Sequence, residues 1–414
     1  MKFNTNIPKA GLKTALSCSV AALMSVAAFS VQAGGLSDNK VKLGVLADMS
    51  GPYGDVCGKH CVDAVNMAVE DFGGSMLGKP IEVVSADDQN KPDLGSAKAR
   101  EWIESEGVDA INGLVASSVV GAVAQVANVN EKPILISGAG SNTFTTKTCS
   151  PFNAHWTYDV VALARGTVKP LMDSGKKKWF FITADYAFGH ALEKVATGII
   201  ETNGGTVVGS ASAPLGTTDY SSFVLQAMSS GADVVALANA GKDFVNSLKG
   251  AAEFGLSQQA TMVGLLVFSS DTKSIDASII GDMRLTTGFY WDRDDESRAW
   301  AKRFMDRTGA IPTMAHAGAY SSTLHYLNAV KATGTDEGKA VMAQMKAVHP
   351  DDIFARNAVL RADGRMVHDM YQVRVKKGNE RKNPNDLYEI EKVIPGDEAF
   401  GAMKAECNFK GSTI

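Results

Sequence analysis

Apolar positions along this chain follow two alternating periods. Residues 41–47, Val-Lys-Leu-Gly-Val-Leu-Ala, read as a buried strand. Ser50-Gly51-Pro52 is a turn. Val62, Val65, Met67-Ala68-Val69 and Phe72 then recur at helical spacing, and the pattern stops at Gly73-Gly74. The spacing predicts a strand at 81–84, a helix at 94–106, a strand at 110–115, a helix at 119–130 and a strand at 133–137. Strands separated by helices need crossover connections, so this half predicts a parallel sheet covered on both faces.

A second run of the same kind begins near Val160. Helices are predicted at 160–174, 190–203, 220–229 and 242–254, with strands at 179–183, 206–212, 234–238 and 261–264. The halves match in architecture and share no residue-level repeat, so they read as two domains of one type. Helices near 297–308, 315–332 and 337–348 and strands near 358–360 and 370–375 are too little for a third domain. They are expected to complete the first two, with the chain crossing between lobes more than once.

The first 33 residues follow a different logic. Lys2, Lys9 and Lys13 precede an apolar run over 15–31 that ends in Val31-Gln32-Ala33. A basic head, an apolar middle and a small-residue exit predict a secretory signal peptide cleaved after Ala33. Cys18 lies in mid-run, away from the position a lipoprotein signal needs. No later stretch is apolar for the length of a membrane span.

Composition then narrows the picture. With 414 residues, 45% hydrophobic and 21% charged, the chain is ordinary and globular, and long enough for two cores. The net charge is −4, and loss of the three leader lysines makes it more acidic still. That argues against a nucleic-acid partner. An exported chain meets an oxidising compartment, where Cys57, Cys61, Cys149 and Cys407 can form disulfides. Cys57 and Cys61 share one helical face. A zinc pair there lacks further ligands nearby, and a bridge at that spacing is tight. Cys149 with Cys407 would then tie the tail to the end of the first half. Spacing alone leaves three connectivities open.

Candidate chemistry lies at strand-to-helix turns, where open parallel sheets bind ligands. Three are built of small residues: Asp48 to Gly54, Ala116-Ser117-Ser118, and Ser137 to Asn142. Serine hydroxyls and free N–H groups at a helix start suit a carboxylate, although Ser117 and Ser141 also serve as plain helix caps. No phosphate-binding loop, His-Glu-x-x-His or nucleophile elbow occurs, and the glycines at 138 and 140 lack the third of a dinucleotide fingerprint. The seven histidines are scattered. His316 is retained as a candidate because it opens a late helix. Aromatics mark the expected crevice: Tyr53, the run Tyr186-Ala187-Phe188-Gly189, and Tyr290-Trp291-Asp292. Core packing is the simpler role for Tyr290 and Trp291, and an acidic helix start is the simpler role for Asp292.

The export signal, Val-Lys-Leu-Gly-Val-Leu-Ala-Asp-Met-Ser-Gly-Pro, the helix ending Ala-Val-Glu-Asp-Phe-Gly-Gly, and the Ala-Ser-Ser and Ser-Gly-Ala-Gly-Ser-Asn turns resemble the leucine/isoleucine/valine-binding type of periplasmic solute-binding protein, which serves ATP-binding-cassette importers. The resemblance spans 39–400. It implies an α/β fold, with two Rossmann-like parallel-sheet lobes joined by a three-crossover hinge (the type I periplasmic binding protein fold). By that likeness 39–157 and 291–354 make the N-terminal lobe, and 158–290 and 355–414 make the C-terminal lobe. It implies ligand carboxylate contacts from Ser117, Ala139, Gly140 and Ser141, and an aromatic contact from Phe188. Leu266 aligns where amino-acid binders of the family place a carboxylate for the ligand ammonium; Asp292 could supply that charge from the hinge.

A buried ammonium without a counter-charge is costly. Leu266, Phe188, Tyr53 and Trp291 instead suit an aromatic body. The expectation is therefore a monomeric periplasmic receptor without cofactor or catalytic residue. It would capture a small aromatic carboxylic acid lacking an α-amino group and deliver it to a permease and its ATPase. The alternatives are a receptor for a branched-chain amino acid, amide or urea, a ligand sensor for a signalling partner, and an exported enzyme.

Overall fold

The structure, a computed structural model, describes residues 35–407. The predicted signal peptide lies outside the described residues. Among the described residues, no helix is long and apolar enough to cross a membrane.

The first sheet holds β1 (Val41–Ala47), β2 (Ser75–Met76), β3 (Lys79–Asp87), β4 (Ala110–Gly113), β5 (Ile134–Ile136) and β6 (Asn153–His155), in the order β2-β3-β1-β4-β5-β6. All its pairings are parallel except the β2–β3 hairpin. Every residue of β1 is buried, as a strand covered by helices on both faces requires. Helices α1 (Gly58–Phe72), α2 (Pro92–Glu104) and α3 (Ser117–Val129) supply the connections. The second sheet holds β7 (Lys178–Ala184), β8 (Thr206–Ala213), β9 (Val234–Ala238) and β10 (Thr261–Gly264), all parallel, in the order β10-β9-β7-β8. Helices α4 (Val160–Asp173), α5 (Ala187–Thr202), α6 (Ser221–Ser229) and α7 (Lys242–Glu253) flank it. The two sheets repeat one order, in which the second and third parallel strands flank the first on either side and the fourth lies beyond the third. This is the α/β, two-lobe arrangement expected from the alternation.

The chain beyond 290 splits its packing. Helix Asp295–Thr308 meets α1 through Arg303 to Asp71 (2.7 Å) and Arg307 to Glu70 (2.8 Å). Helix Met314–Thr333 packs under β4, where the Asn112 amide donates to Ser322 and Thr323 at 3.0 Å each. In contrast, β11 (Arg284–Thr287), β14 (Met370–Val375) and β15 (Tyr388–Ile394) form an antiparallel sheet beside α4, while β12 (Val359–Leu360) pairs with β13 (Met366–Val367). The connecting segments lie together. His368 Nε2 is 2.7 Å from the Thr157 carbonyl, and Arg293 donates to the Ile353 carbonyl (2.8 Å) and the Tyr371 hydroxyl (3.1 Å).

Besides the two-residue strands β2 and β13, three strands fall outside the sequence reading. β6 pairs through Asn153, Ala154 and His155, and His155 N–H donates to the Gly364 carbonyl (2.8 Å), so a distant segment covers it. β11 and β15 are amphipathic edges whose charged residues face water. Helix α5 begins at Ala187, three residues earlier than the spacing predicts, which places Phe188 in its first turn.

Candidate functional site

The first cleft loop is wound around a carboxylate. Asp48 accepts the N–H of Gly51 (2.6 Å) and of Tyr53 (2.8 Å), and the Asn90 amide (2.5 Å). Aspartate at a turn bonding forward to the backbone is a local device, and here it holds Tyr53 over the cleft. From behind, Thr313 donates to the Val56 carbonyl (2.7 Å), and His316 places Nε2 3.1 Å from the Cys57 carbonyl. Nδ1 of His316 accepts the Thr313 N–H (3.0 Å). Burial pushes this imidazole down to about 3, so it stays neutral and donates through Nε2. The Cys57–Cys61 disulfide closes the start of α1, and Cys149–Cys407 joins the end of the first half to the tail.

The other two turns face this loop. Ser117 opens α3, and its hydroxyl accepts the Ser141 N–H (3.2 Å). The carbonyls of the 138–140 turn are all engaged from the far side. Tyr158 donates to Gly138, His155 Nε2 lies 2.7 Å from Ala139, and the Val160 N–H reaches Gly140 at 2.8 Å. Among the described residues, the N–H groups of Ala139 and Gly140 have no acceptor. The first turn of α3 adds N–H groups that no helix carbonyl can reach. Such donors beside a helix start make an anion cradle. Ser141 also caps the following turn, accepting the Thr143 N–H at 3.4 Å.

A cavity of about 10 Å³ lies between the two sheets. Tyr53, Val115, Gly138 and Gly140 wall it on one side; Tyr186, Phe188, Leu266 and Phe268 wall it on the other, with Tyr158 and Ala240 between. No charged side chain is in the wall. The cavity has room for about one water, so the lobes must part for a ligand to enter. Burial holds the hydroxyls of Tyr53, Tyr158 and Tyr186 well above their usual range, and all three are neutral.

Of the sequence-derived candidates, Tyr53, Gly140, Phe188 and Leu266 are in the cavity wall. Ser117, Ala139 and Ser141 stand immediately behind it. Trp291, Asp292 and His316 are outside it, each for a visible reason. Trp291 donates its indole N–H to the Asn385 carbonyl (2.8 Å), Asp292 pairs with Arg298 (3.0 Å), and both nitrogens of His316 brace the first loop. Sequence reasoning missed Tyr158, Tyr186 and Phe268 as wall residues. Tyr186 sits within the aromatic run already singled out; Tyr158 follows the unpredicted strand β6 and offered no signal.

Residues 40–380 match the family model described as periplasmic binding protein. A periplasmic binding protein from Burkholderia mallei is 44% identical, with a TM-score of 0.86, over 88% of this chain and 96% of that one. The periplasmic ligand-binding protein of a branched-chain amino acid ABC transporter from Burkholderia xenovorans is 36% identical, with a TM-score of 0.78, over 87% and 97%. Leu/Ile/Val-binding protein homolog 6 of Brucella melitensis is 26% identical over 78% of this chain and 84% of its own length. A two-lobed fold, a closed cavity between the lobes and a family match over most of its length agree: this chain belongs to the periplasmic binding protein family, as a solute-binding component of an ABC transporter and not an enzyme.

Proposed function

We propose that this receptor captures a small carboxylic acid, aromatic and without an α-amino group, and presents it to a membrane permease and ATPase. One observation carries the ligand class: the cavity wall combines aromatic and aliphatic side chains, Leu266 included, with no charged side chain. An ammonium enclosed there would lose its hydration without gaining a counter-charge. A carboxylate would meet the unengaged N–H groups of Ala139 and Gly140 and the start of α3. Phe188 and Tyr53 would pack on the ring.

The mechanism is hinge closure. Residues 39–157 and 291–354 form one lobe and 158–290 and 355–407 the other, hinged where the chain passes near 157, 290 and 354. Ligand lands on the first lobe, and the second closes over it and expels water. The protein works in the periplasm as a monomer after cleavage behind Ala33.

A second reading, a branched-chain amino acid receptor, is favoured by the name of the 36% identical Burkholderia xenovorans protein. A thermal-shift panel separates the two. Stabilisation by benzoate- and cinnamate-type acids with none by leucine or valine is expected, and the reverse pattern would sink the proposal. Mass spectrometry of the compound that co-purifies identifies the ligand directly.

A further inference from the structure

The cavity wall changes character from one end to the other. At one end are the unengaged N–H groups of Ala139 and Gly140 and the start of α3. A Cβ on Gly140 would lie 2.8 Å from Phe188 Cε2, so the Phe188 ring packs directly against that turn. The ring centroids of Phe188 and Tyr186 are 6.0 Å apart, and those of Tyr186 and Tyr53 are 6.4 Å apart. Three rings therefore lead away from the anion cradle. The row ends where the Tyr53 and Tyr186 hydroxyls meet at 2.5 Å. Gly241 stands against that end, where a Cβ would lie 3.0 Å from Tyr53 Cδ1.

The hydroxyl pair is left with spare hydrogen-bonding capacity. Two neutral hydroxyls carry two protons, and the bond between them uses one. Among the described residues neither oxygen has another hydrogen-bond partner, and both residues line the cavity. Tyr158, the third tyrosine of the wall, differs, because its hydroxyl donates to the Gly138 carbonyl. One O–H proton thus has no acceptor at the far end of an otherwise apolar wall, and a donor left so in a dry site costs free energy.

We propose that the ligand carries a hydroxyl on its ring and that Tyr53 and Tyr186 bind it, so that the substrate class is the hydroxyaryl carboxylic acids. A hydroxyl both donates and accepts. Added to the pair, it takes the spare proton and gives its own to a tyrosine oxygen, and every O–H of the three then has an acceptor. A methyl group offers neither function, and an ammonium offers no lone pair. Tyr53 belongs to the first lobe and Tyr186 to the second, so the ligand hydroxyl is read by both lobes and only on closure. The carboxylate is held by the first lobe alone. This inference rests on the ligand being an aromatic carboxylic acid.

The experiment is calorimetric titration of the mature protein with 3- and 4-hydroxybenzoate and with the matching methylbenzoates, in which a group of similar size replaces the hydroxyl. One hydroxybenzoate is expected to bind at least about tenfold tighter than its methyl counterpart. In Tyr53→Phe or Tyr186→Phe, which keep the rings, that advantage should shrink to about threefold or less. Either substitution also removes the bond between the lobes, but that loss weakens hydroxyl and methyl ligands alike and leaves their ratio unchanged. Hydroxybenzoates that bind no tighter than methylbenzoates, or a preference that survives both substitutions, would overturn the hydroxyl assignment and leave the aromatic-acid proposal standing. No binding of any of these acids to wild type would overturn that proposal and this one together.

Discussion

The hydroxyls of Tyr53 and Tyr186 meet at 2.5 Å, and the two residues come from opposite sheets. Their ring centroids are 6.4 Å apart. The pair is a hydrogen bond across the cleft that exists only when the lobes are together. Beside it, the Lys242 N–H donates to the Pro52 carbonyl at 3.2 Å, so backbone and side chains latch the same edge. Tyr186→Phe removes the hydroxyl bond and keeps the ring. Ligand affinity is expected to fall about 3- to 10-fold, measured by calorimetry, with the melting temperature of the ligand-free protein little changed. Unaltered affinity would show that the bond does not contribute to closure.

At Gly140 the lobes approach closely. A Cβ there would lie 2.8 Å from Phe188 Cε2 and 3.0 Å from Tyr158 Cε2. Gly140→Ala therefore obstructs the closed form, because aromatic rings in a packed wall have little room to retreat. The expected outcome is at least a tenfold loss of affinity. A calorimetric titration matching wild type would mean that the ring of Phe188 moves aside.

Cys149 and Cys407 are bridged across 258 residues. Cross-linking so long a loop restricts the unfolded chain, and its loss costs about 2–5 kcal/mol. The Cys149→Ser/Cys407→Ser variant is expected to melt roughly 5–10 °C lower, and reductant should lower wild type towards the same value. A variant melting with wild type would place the tail outside the cooperative fold.

Asp88 offers a pH test. One of its oxygens accepts the Asn90 N–H (2.8 Å), and the other is buried without a partner among the described residues. Burial, with Asp48 and Asp87 adding like charge, pushes its carboxyl up to about 7. The folded state thus holds a proton that the unfolded state releases near pH 4. Stability must then fall as pH rises from about 4 to about 7. Asp88→Asn removes that term and keeps an oxygen for Asn90. It is expected to stabilise the protein at pH 8 by on the order of 3 kcal/mol and to match wild type near pH 4. Parallel pH profiles of melting temperature would refute the assignment.

The local signals were strong wherever burial is symmetric. β9 runs as a continuous apolar block and β1 as one broken only by Lys42, because helices cover both faces, and their bounds are legible residue by residue. The three turns that build the first wall of the site announced themselves by small residues, since only those let a ligand approach the backbone. Tyr53 and Phe188 stood out as aromatics beside such turns.

Other features required the chain to be folded. β6, with His155 and Tyr158 behind it, has no apolar signature because its burial is provided by residues more than two hundred positions away, near Gly364 and Arg365. Trp291, Asp292 and His316 carry the right chemistry for a ligand, yet their partners, Asn385, Arg298 and Cys57, occupy them elsewhere. Periodicity reports which face of an element is apolar, and that alone determined the two-lobed α/β architecture. Which polar atoms are already satisfied, and so which remain for a ligand, depends on contacts between distant segments. Only the tertiary structure decided that.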